Sequence, residues 1–567
     1  MPEDSRRSVY ARKALEQVPR LLGNLDRNPH SPTYGCFHRD YWLDKTSDFP
    51  DAVRQFAVQA LALVYARDFP DNPYRGQPKI RDWAVAALDF WARIQHADGS
   101  FDEFYPFERG WVGPTAFTTF TSVEAYRLLE GDVPADVAGR VRAAIRRSAV
   151  FIGRGDAEED HLANHHAMAC LAVWKAYQLL GEPALRTLFE RLWRGFLTYH
   201  DPDEGWSREY DGTDPGYLSA TVSFLAKVYQ DNHDPAIRRV LEQAAAFCAY
   251  FAYPDGSYAG TLGSRNTLHF YPHGFEVLAP ELPVAAAVAE HMLRSLDAGR
   301  LVPPAVMSDR YLAYRVGEYL QAYLDWRPRP SPLPLLPSEA EPFTRFFPKA
   351  RIFAAARPEH YVIANLAKGG VVKVFDRREG RLLINDAGII GRLADGRVVS
   401  SQWISPAYQV RATDDGWEVS GYLHVVTSQK VFTLVTNLVF RGVLLALGWS
   451  PPLAHWLKAR IRKTLILKQR TAPIRFRRRL GFEGGAPVLE NEVAIVGDAR
   501  VAALNFGDEF SIRHVPQSRY FQPHELASRS FPLDAAALDA LNAGRAVHIE
   551  ARAAEDSEGE RKVWWTP

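Results

Sequence analysis

The stretch DHLANHHAMACLAVWKAYQLLG (160–181) sets an amide and two imidazoles, Asn164, His165 and His166, ahead of a run from Ala167 to Leu180 whose lone charge is Lys175. An amide beside imidazoles can bind an anion or move a proton. The same residues can simply start a helix, with Asn164 as its N-cap, and the trio alone does not decide. Tyr217 in EYDGTDPGYLS (209–219) follows His165 by 52 residues and again opens an apolar run. Its phenol adds a proton donor or acceptor, although a core tyrosine at a helix start is the plain alternative. His269 and His273 of TLHFYPHGFE (267–276) are further proton-transfer candidates, or residues that pack a loop. His161 and His165 have the i, i+4 spacing of a helical metal pair. No Asp or Glu completes a ligand set, so no metal or other cofactor is expected at the site, and a structural metal is left open.

These groups need a frame, and residues 1–326 supply one by alternating two kinds of helix. KIRDWAVAALDFWARIQ (79–95), DVAGRVRAAIRRSAVFIG (136–153), PALRTLFERLWRGFLTYH (183–200) and PAIRRVLEQAAAFCAYFA (235–252) keep charge on one face. FAVQALALVYA (56–66), AMACLAVWKAY (167–177) and LSATVSFLAKVY (218–229) are apolar nearly all round and must be covered on every side. An inner ring within an outer ring follows. Gly99, Gly155, Gly205 and Gly256 sit in similar turns, separated by 56, 50 and 51 residues, a period that suits one helical hairpin plus loops. The prediction is an incomplete (α/α)5-6 toroid.

On such a toroid the starts of the inner helices share one rim, the usual place for a site. The rim segments read as 37–49, 117–122, 163–167, 209–219 and 267–276. Within GCFHRDYWLDKTSDFP (35–50) the substrate-binding candidates are Tyr41, Trp42, Asp44, Lys45 and Asp48; further on they are Tyr210, Arg265 and His273.

Six prolines in RPRPSPLPLLPSEAEP (327–342) mark a linker. Beyond it, HYVIANLA (360–367), GGVVKVFD (369–376), GRLLIND (380–386), GWEVSGYLHVVT (416–427) and KVFTLVTNLVF (430–440) are short and β-branched, and read as strands. The expected whole is a multidomain α+β chain: toroid 1–326, linker 327–342, and an antiparallel β-sandwich over 343–567 with a basic and apolar insertion around 440–480.

In a chain of 567 residues, a net charge of +1 points to no nucleic-acid partner, and three scattered cysteines exclude a disulfide framework. The N-terminus lacks an apolar run of signal-peptide length, so a cytoplasmic protein is expected, peripheral to the inner membrane if the insertion binds there. Between Glu418 and Glu483 there are twelve Lys or Arg and no acid. This segment reads as a basic sheet face, a polyanion-binding surface or a contact with an anionic membrane through 440–480.

The Asn-His pair opening one inner helix, with the Tyr of YDGTDPGY one repeat later, resembles the heparinase II/III-like polysaccharide lyases. The resemblance implies a toroid followed by a β-sandwich and cleavage of a uronic-acid-containing glycan by β-elimination. In matching positions Asn164 and His165 would neutralise the uronate carboxylate and Tyr217 would be the general base or acid. His166, His269 and His273 are candidates for a second proton-transfer group. The chemistry suits the residue types: removing the C5 proton places charge on the adjacent carboxylate, and aimed donors stabilise the enolate-like state. The implied partner is an acidic polysaccharide or oligosaccharide, in a role tied to cell-surface polysaccharide synthesis. The rival readings are a glycoside hydrolase using two of Asp44, Asp48, Asp102, Glu103, Asp211 and Asp214, a uronate epimerase, and a non-catalytic carbohydrate-binding or assembly protein.

Overall fold

The computed structural model describes residues 3–106, 112–154, 161–426, 433–448, 470–507, 530–555 and 561–566, with 450, 453 and 456. Its helices before residue 326 are α1 (Glu3–Leu15), α2 (Val18–Asn24), α3 (Arg39–Trp42), α4 (Ala57–Ala66), α5 (Pro78–Arg93), α6 (Val112–Leu129) and α7 (Ala135–Arg154), then α8 (Ala163–Leu180), α9 (Pro183–Leu197), α10 (Pro215–Asn232), α11 (Pro235–Cys248), α12 (His273–Leu278), α13 (Pro283–Asp297) and α14 (Asp309–Asp325). Helices α4, α6, α8, α10, α12 and α14 form the inner ring. Each packs on the next, and α14 returns to α4. Helices α5, α7, α9, α11, α13 and α1 back them in turn.

Hydropathy assigns the rings. Eight successive residues of α4, Ala57 to Val64, are buried, whereas α7 buries the stripe Val141, Ala144, Ile145, Ser148, Ala149 and Ile152 and leaves its arginines to solvent. The recurrent glycines share a physical cause. Gly99, Gly205 and Gly256 have φ of 94°, 83° and 84°, and a Cβ at each would collide with the next outer helix, at Arg147, Gln243 and Ser295 respectively. Gly155 lies outside the described residues.

One rung is only partly helical. Helix α12 has six residues, and the chain before it descends extended beside α10. A Cβ on Gly216 would lie 2.6 Å from Thr267, Tyr271 donates its N–H to Ser219, and a Cβ on Gly274 would meet Ser223 at 2.5 Å.

The Pro-rich segment 327–342 is tied down rather than free. Arg329 reaches the fully buried Glu276 at 2.6 and 2.8 Å, and Tyr10 donates to the same carboxylate at 2.7 Å.

Strands β1 (Arg208–Glu209) and β2 (Gly212–Thr213) form a small hairpin on the toroid. The next five, β3 (Phe343–Phe347), β4 (Ile352–Ala356), β5 (His360–Asn365), β6 (Val371–Asp376) and β7 (Arg381–Asp386), make an antiparallel meander. The larger antiparallel sheet contains β8 (Ile390–Leu393), β9 (Val398–Ser400), β10 (Gln409–Thr413), β11 (Gly416–Val425) and β12 (Thr471–Glu483), followed by β13 (Ala486–Ile495), β14 (Val501–Phe506), β15 (Phe531–Pro532), β16 (Val547–Glu555) and β17 (Arg561–Thr566). The meander is the middle layer. Ile352, Ala354, Tyr361 and Ile363 pack towards the toroid, while Phe353, Ala355, Val362 and Ala364 pack on the larger sheet. Burial on both faces explains why these strands read as unbroken apolar runs.

Two local expectations are corrected. Residues 433–440, expected as strand, enter helix α15 (Leu434–Leu447); 430–432 lie outside the described residues. A capping box starts it: Thr436 N–H donates to Thr433 Oγ1 at 3.2 Å and Thr433 N–H to Thr436 Oγ1 at 2.7 Å. Residues 117–122, expected at the rim, lie inside α6, where Thr118 and Thr119 bond back to their own helix at Pro114 and Thr115. The basic-face reading fits part of the insertion. Arg475, Arg477 and Arg479 are exposed on β12 and meet Glu492, Glu418 and Glu490, whereas Arg478 is fully buried against Asp386 at 2.7 Å.

Candidate functional site

The first turns of α8, α10 and α14 meet the hairpin β1–β2 and the extended segment 267–272 at one mouth of the toroid. Pro215 fixes the first turn of α10, and the buried Asp214 caps it by accepting from Tyr217 N–H at 3.2 Å. The turn lifts Tyr217 to the mouth, half-buried, with its hydroxyl 3.3 Å from that of Tyr311 in the first turn of α14. Burial, then the neighbouring Tyr311 and Tyr210, push the Tyr217 phenol well above its ordinary pKa. It is therefore a neutral proton donor at working pH. His269 stacks on Tyr311 with ring centroids 4.5 Å apart. Burial and the Arg315 guanidinium hold its imidazole well below the usual range, hence neutral.

His165 leans inward over the axis. Its ring lies edge-on to Phe117 at 5.7 Å and against Gly113 of α6, where a Cβ would stand 2.5 Å from Nδ1. Phe117 belongs to an aromatic layer with Phe56, Phe224, Tyr271 and Tyr314, whose ring centroids are 5.5–6.1 Å apart between neighbours. Phe224, Tyr271 and Tyr314 are buried. This layer floors the mouth.

Asn164 differs from expectation. Its side-chain N–H groups donate to both oxygens of Glu209, each at 2.9 Å, and its backbone N–H donates to the same carboxyl. The amide donors expected for a uronate are thus bonded to a resident carboxyl. Burial pushes Glu209 up to about 8 against the pull of the Asn164 donors. The Arg265 guanidinium lies 3.8 Å over the Tyr210 ring, and its buried Nε and Nη2 have no hydrogen-bond partner among the described residues. Tyr210 sits at φ 59°, the left-handed bend that brings its ring to Arg265.

Other expected residues go elsewhere. His166 points outward and stacks on Tyr199 at 4.4 Å, because adjacent positions on a helix face about 100° apart. His273 is at the opposite mouth. It meets Asp325 at 2.7 Å in the wall of a cavity of about 500 Å³ shared with Lys175 and Lys227. The segment 267–272 accounts for this, since its extended rise carries His273 down the axis away from His269. Trp42 is tied to Asn24 through its indole N–H at 2.8 Å, and Tyr41 stacks on His38 at 6.4 Å. Asp44 pairs with Arg39, Asp48 with Arg441, and Lys45 is exposed at φ 56°. These five belong to the outer rim. It reaches the mouth through Asp51 and Glu103, which hold Arg310 beside Tyr311.

The carboxylates of the hydrolase reading are mostly engaged: Asp102 with His96, Glu103 with Arg310, and Asp214 as the α10 cap that also receives Arg265 N–H at 2.9 Å. Among the described residues no group of three His, Cys, Asp or Glu could hold a metal ion. The β-layers brace the mouth. Lys368 Nζ donates to Thr261 and Gly263 carbonyls at 2.8 and 2.7 Å, and Ile404 packs on Gly212 of the hairpin. His424 stacks on Trp403 next to Ile404 at 5.6 Å.

The sequence reading missed Glu209, Tyr311, Phe117 and Gly113. Glu209 opens the EYDGTDPGYLS segment, Phe117 opens the rim segment 117–122 and Tyr311 starts the last inner helix, so these three stood at rim positions; Gly113 needed the ring closed first.

No family model matches the chain, and no curated protein matches it. Among solved structures it is similar to the chondroitin AC lyase of Streptomyces coelicolor A3 in complex with chondroitin sulphate. The TM-score is 0.51 at 13% identity, over 89% of this chain and 68% of that one. A heparan sulfate lyase of Pedobacter heparinus scores 0.39 at 11% identity, over 87% and 69%. An unsaturated glucuronyl hydrolase specific for heparin scores 0.39 at 12%, over 57% and 97%. The likeness to the first is one of fold: an α/α toroid followed by antiparallel β-sheets, as in a polysaccharide lyase.

Proposed function

We propose that this protein cleaves a uronic-acid-containing polysaccharide by β-elimination at the Tyr217 mouth. The observation that carries the reading is a neutral Tyr217 phenol, bonded to Tyr311 and one rung from His165, with the Arg265 guanidinium stacked on the neighbouring Tyr210 and its buried Nε and Nη2 without a hydrogen-bond partner among the described residues. Arg265 meets the uronate carboxylate and stabilises the charge that develops there. His165 takes the C5 proton, and the C5–H electron pair forms the C4=C5 double bond. The C4–O bond breaks, and Tyr217 gives its proton to the leaving glycosidic oxygen. Solvent then returns the proton from imidazolium to phenolate. His269, neutral and stacked on Tyr311, keeps the phenol pair in place. The chondroitin sulphate held by the Streptomyces enzyme of the same fold favours an acidic glycan as substrate.

The test is incubation with a panel of uronate polysaccharides, following the ultraviolet absorbance of the conjugated 4,5-unsaturated product. New absorbance with chain shortening supports elimination. Chain shortening without it means hydrolysis, and solvent-deuterium incorporation at C5 without shortening means epimerisation; either result overturns the proposal, as does inactivity across the panel.

A further inference from the structure

Helix α15 presents an apolar face that nothing described covers. Leu434, Val435, Leu438, Val439 and Leu445 are 76, 67, 65, 61 and 52% exposed, and Trp456 beyond the helix is 57% exposed. The five aliphatic positions recur at i, i+1, i+4, i+5 and i+11, one stripe of a helix. The opposite side is anchored by Phe440, which meets Tyr105 edge-on at 5.0 Å, and the edge of the stripe by Arg441, which pairs with Asp48 at 3.3 Å. The exposure is therefore a held orientation. A helix of 14 residues is about 21 Å long, too short to cross a bilayer of about 30 Å, and no helix of the described residues is long and apolar enough to span one.

What would cover the stripe follows from the charge that comes after it in the sequence. Residues 458–470 carry six Lys or Arg and no acid; 458–469 lie outside the described residues, and their charge is read from the sequence alone. The arginines of β12 are answered by glutamates, whereas no acid lies within this tract or on α15. A second copy carries the same excess of positive charge in this stretch of sequence and offers nothing of opposite sign to it. An anionic surface with a hydrocarbon interior satisfies both the stripe and the charge. We propose that α15 and Trp456 form an interfacial docking surface for an anionic lipid bilayer, with the helix lying flat in the headgroup layer. Tyr105 packs beside Phe104, over which Arg310 lies at 4.0 Å.

The experiment is co-sedimentation of the full chain with vesicles of phosphatidylcholine alone or with about 30% phosphatidylglycerol. Binding is expected to the anionic vesicles, to fall at least about tenfold with the pair Leu438→Asp and Val439→Asp, and to weaken as salt rises. Both residues are exposed, and an unchanged melting temperature shows that the variant folds. No binding to anionic vesicles, equal binding to neutral ones, or binding untouched by the pair overturns the proposal. So does a lipid-free dimer that the pair dissolves in a chain that ignores vesicles.

Discussion

Asn164 closes three N–H donors around the carboxyl of Glu209, with the amide nitrogen 2.9 Å from each oxygen. The helix start and the hairpin β1–β2 are thereby locked together, and Tyr217 is carried by the chain that leaves the hairpin. The pair ties the start of α8 to the hairpin at the mouth.

Glu209 gives the pair a pH signature. Its carboxyl is raised from 4.5 to about 8 in the folded state. Its contribution to stability is thus fully present below about pH 4.5 and lost as pH rises through about 8. Urea unfolding of Glu209→Gln against the unaltered chain should show the variant gaining relative stability from about pH 5 to about pH 9. A difference that stays flat across that window would mean Glu209 is ionised throughout.

Replacing Tyr217 by Phe removes one hydroxyl whose partner is Tyr311. The reading above expects kcat to fall by about 10²–10⁴, with KM and melting temperature little moved. Tyr311→Phe should cost less, about tenfold, since it orients the phenol without donating to substrate. Equal losses in the two would contradict the assignment of Tyr217 as the donor.

Gly113 has a role that its own side cannot show. Ala there would put Cβ 2.5 Å from His165 Nδ1 and 2.6 Å from Cε1, so the ring must move. Displacement of a reacting group by about 1 Å costs on the order of 10²-fold in rate. Gly113→Ala should therefore lose activity while binding the glycan, as measured by single-turnover kinetics and calorimetry.

Lys227 and Glu318 form a buried pair at 2.8 Å, which Ser223 and His273 N–H complete at 2.6 and 3.2 Å. Removing one charge leaves the other unpaired in the core, so Lys227→Met should destabilise by about 3–5 kcal/mol, read from the denaturant midpoint. Lys227→Met with Glu318→Leu should recover much of that. Although burial works against it, Lys227 holds Glu318 down to about 2. The pair's contribution, present above the unfolded value of 4.5, is lost as pH falls towards 2.

The layout of the rings was legible because burial leaves a mark on every residue: a helix covered on all sides cannot carry charge, and turns that press on a neighbouring helix keep glycine. The strands of the middle layer were legible for the same reason. Helix α15 was misread because its β-branched residues are exposed, so its start is set by the Thr433–Thr436 cap rather than by a buried face. The site was legible as positions on a rim and not as partners. His165 and Tyr217 stand on adjacent inner helices as the period required, but the direction of a side chain within a turn separates His165 from His166. Only the descent of 267–272 separates His269 from His273. The bond from Asn164 to Glu209 was not legible because nothing in sequence spacing shows a carboxyl folding back from 45 residues away.

The aromatic layer of Phe56, Phe117, Phe224, Tyr271 and Tyr314 closes the toroid beneath the mouth. A polymer cannot be threaded along the axis. On the function proposed above, substrate must arrive, and both fragments must depart, on the same side, with the glycan draped across the loops. Successive cuts on one strand then require it to slide over the surface or to be let go and caught again. Any processivity this protein has is set by those loops and not by a tunnel.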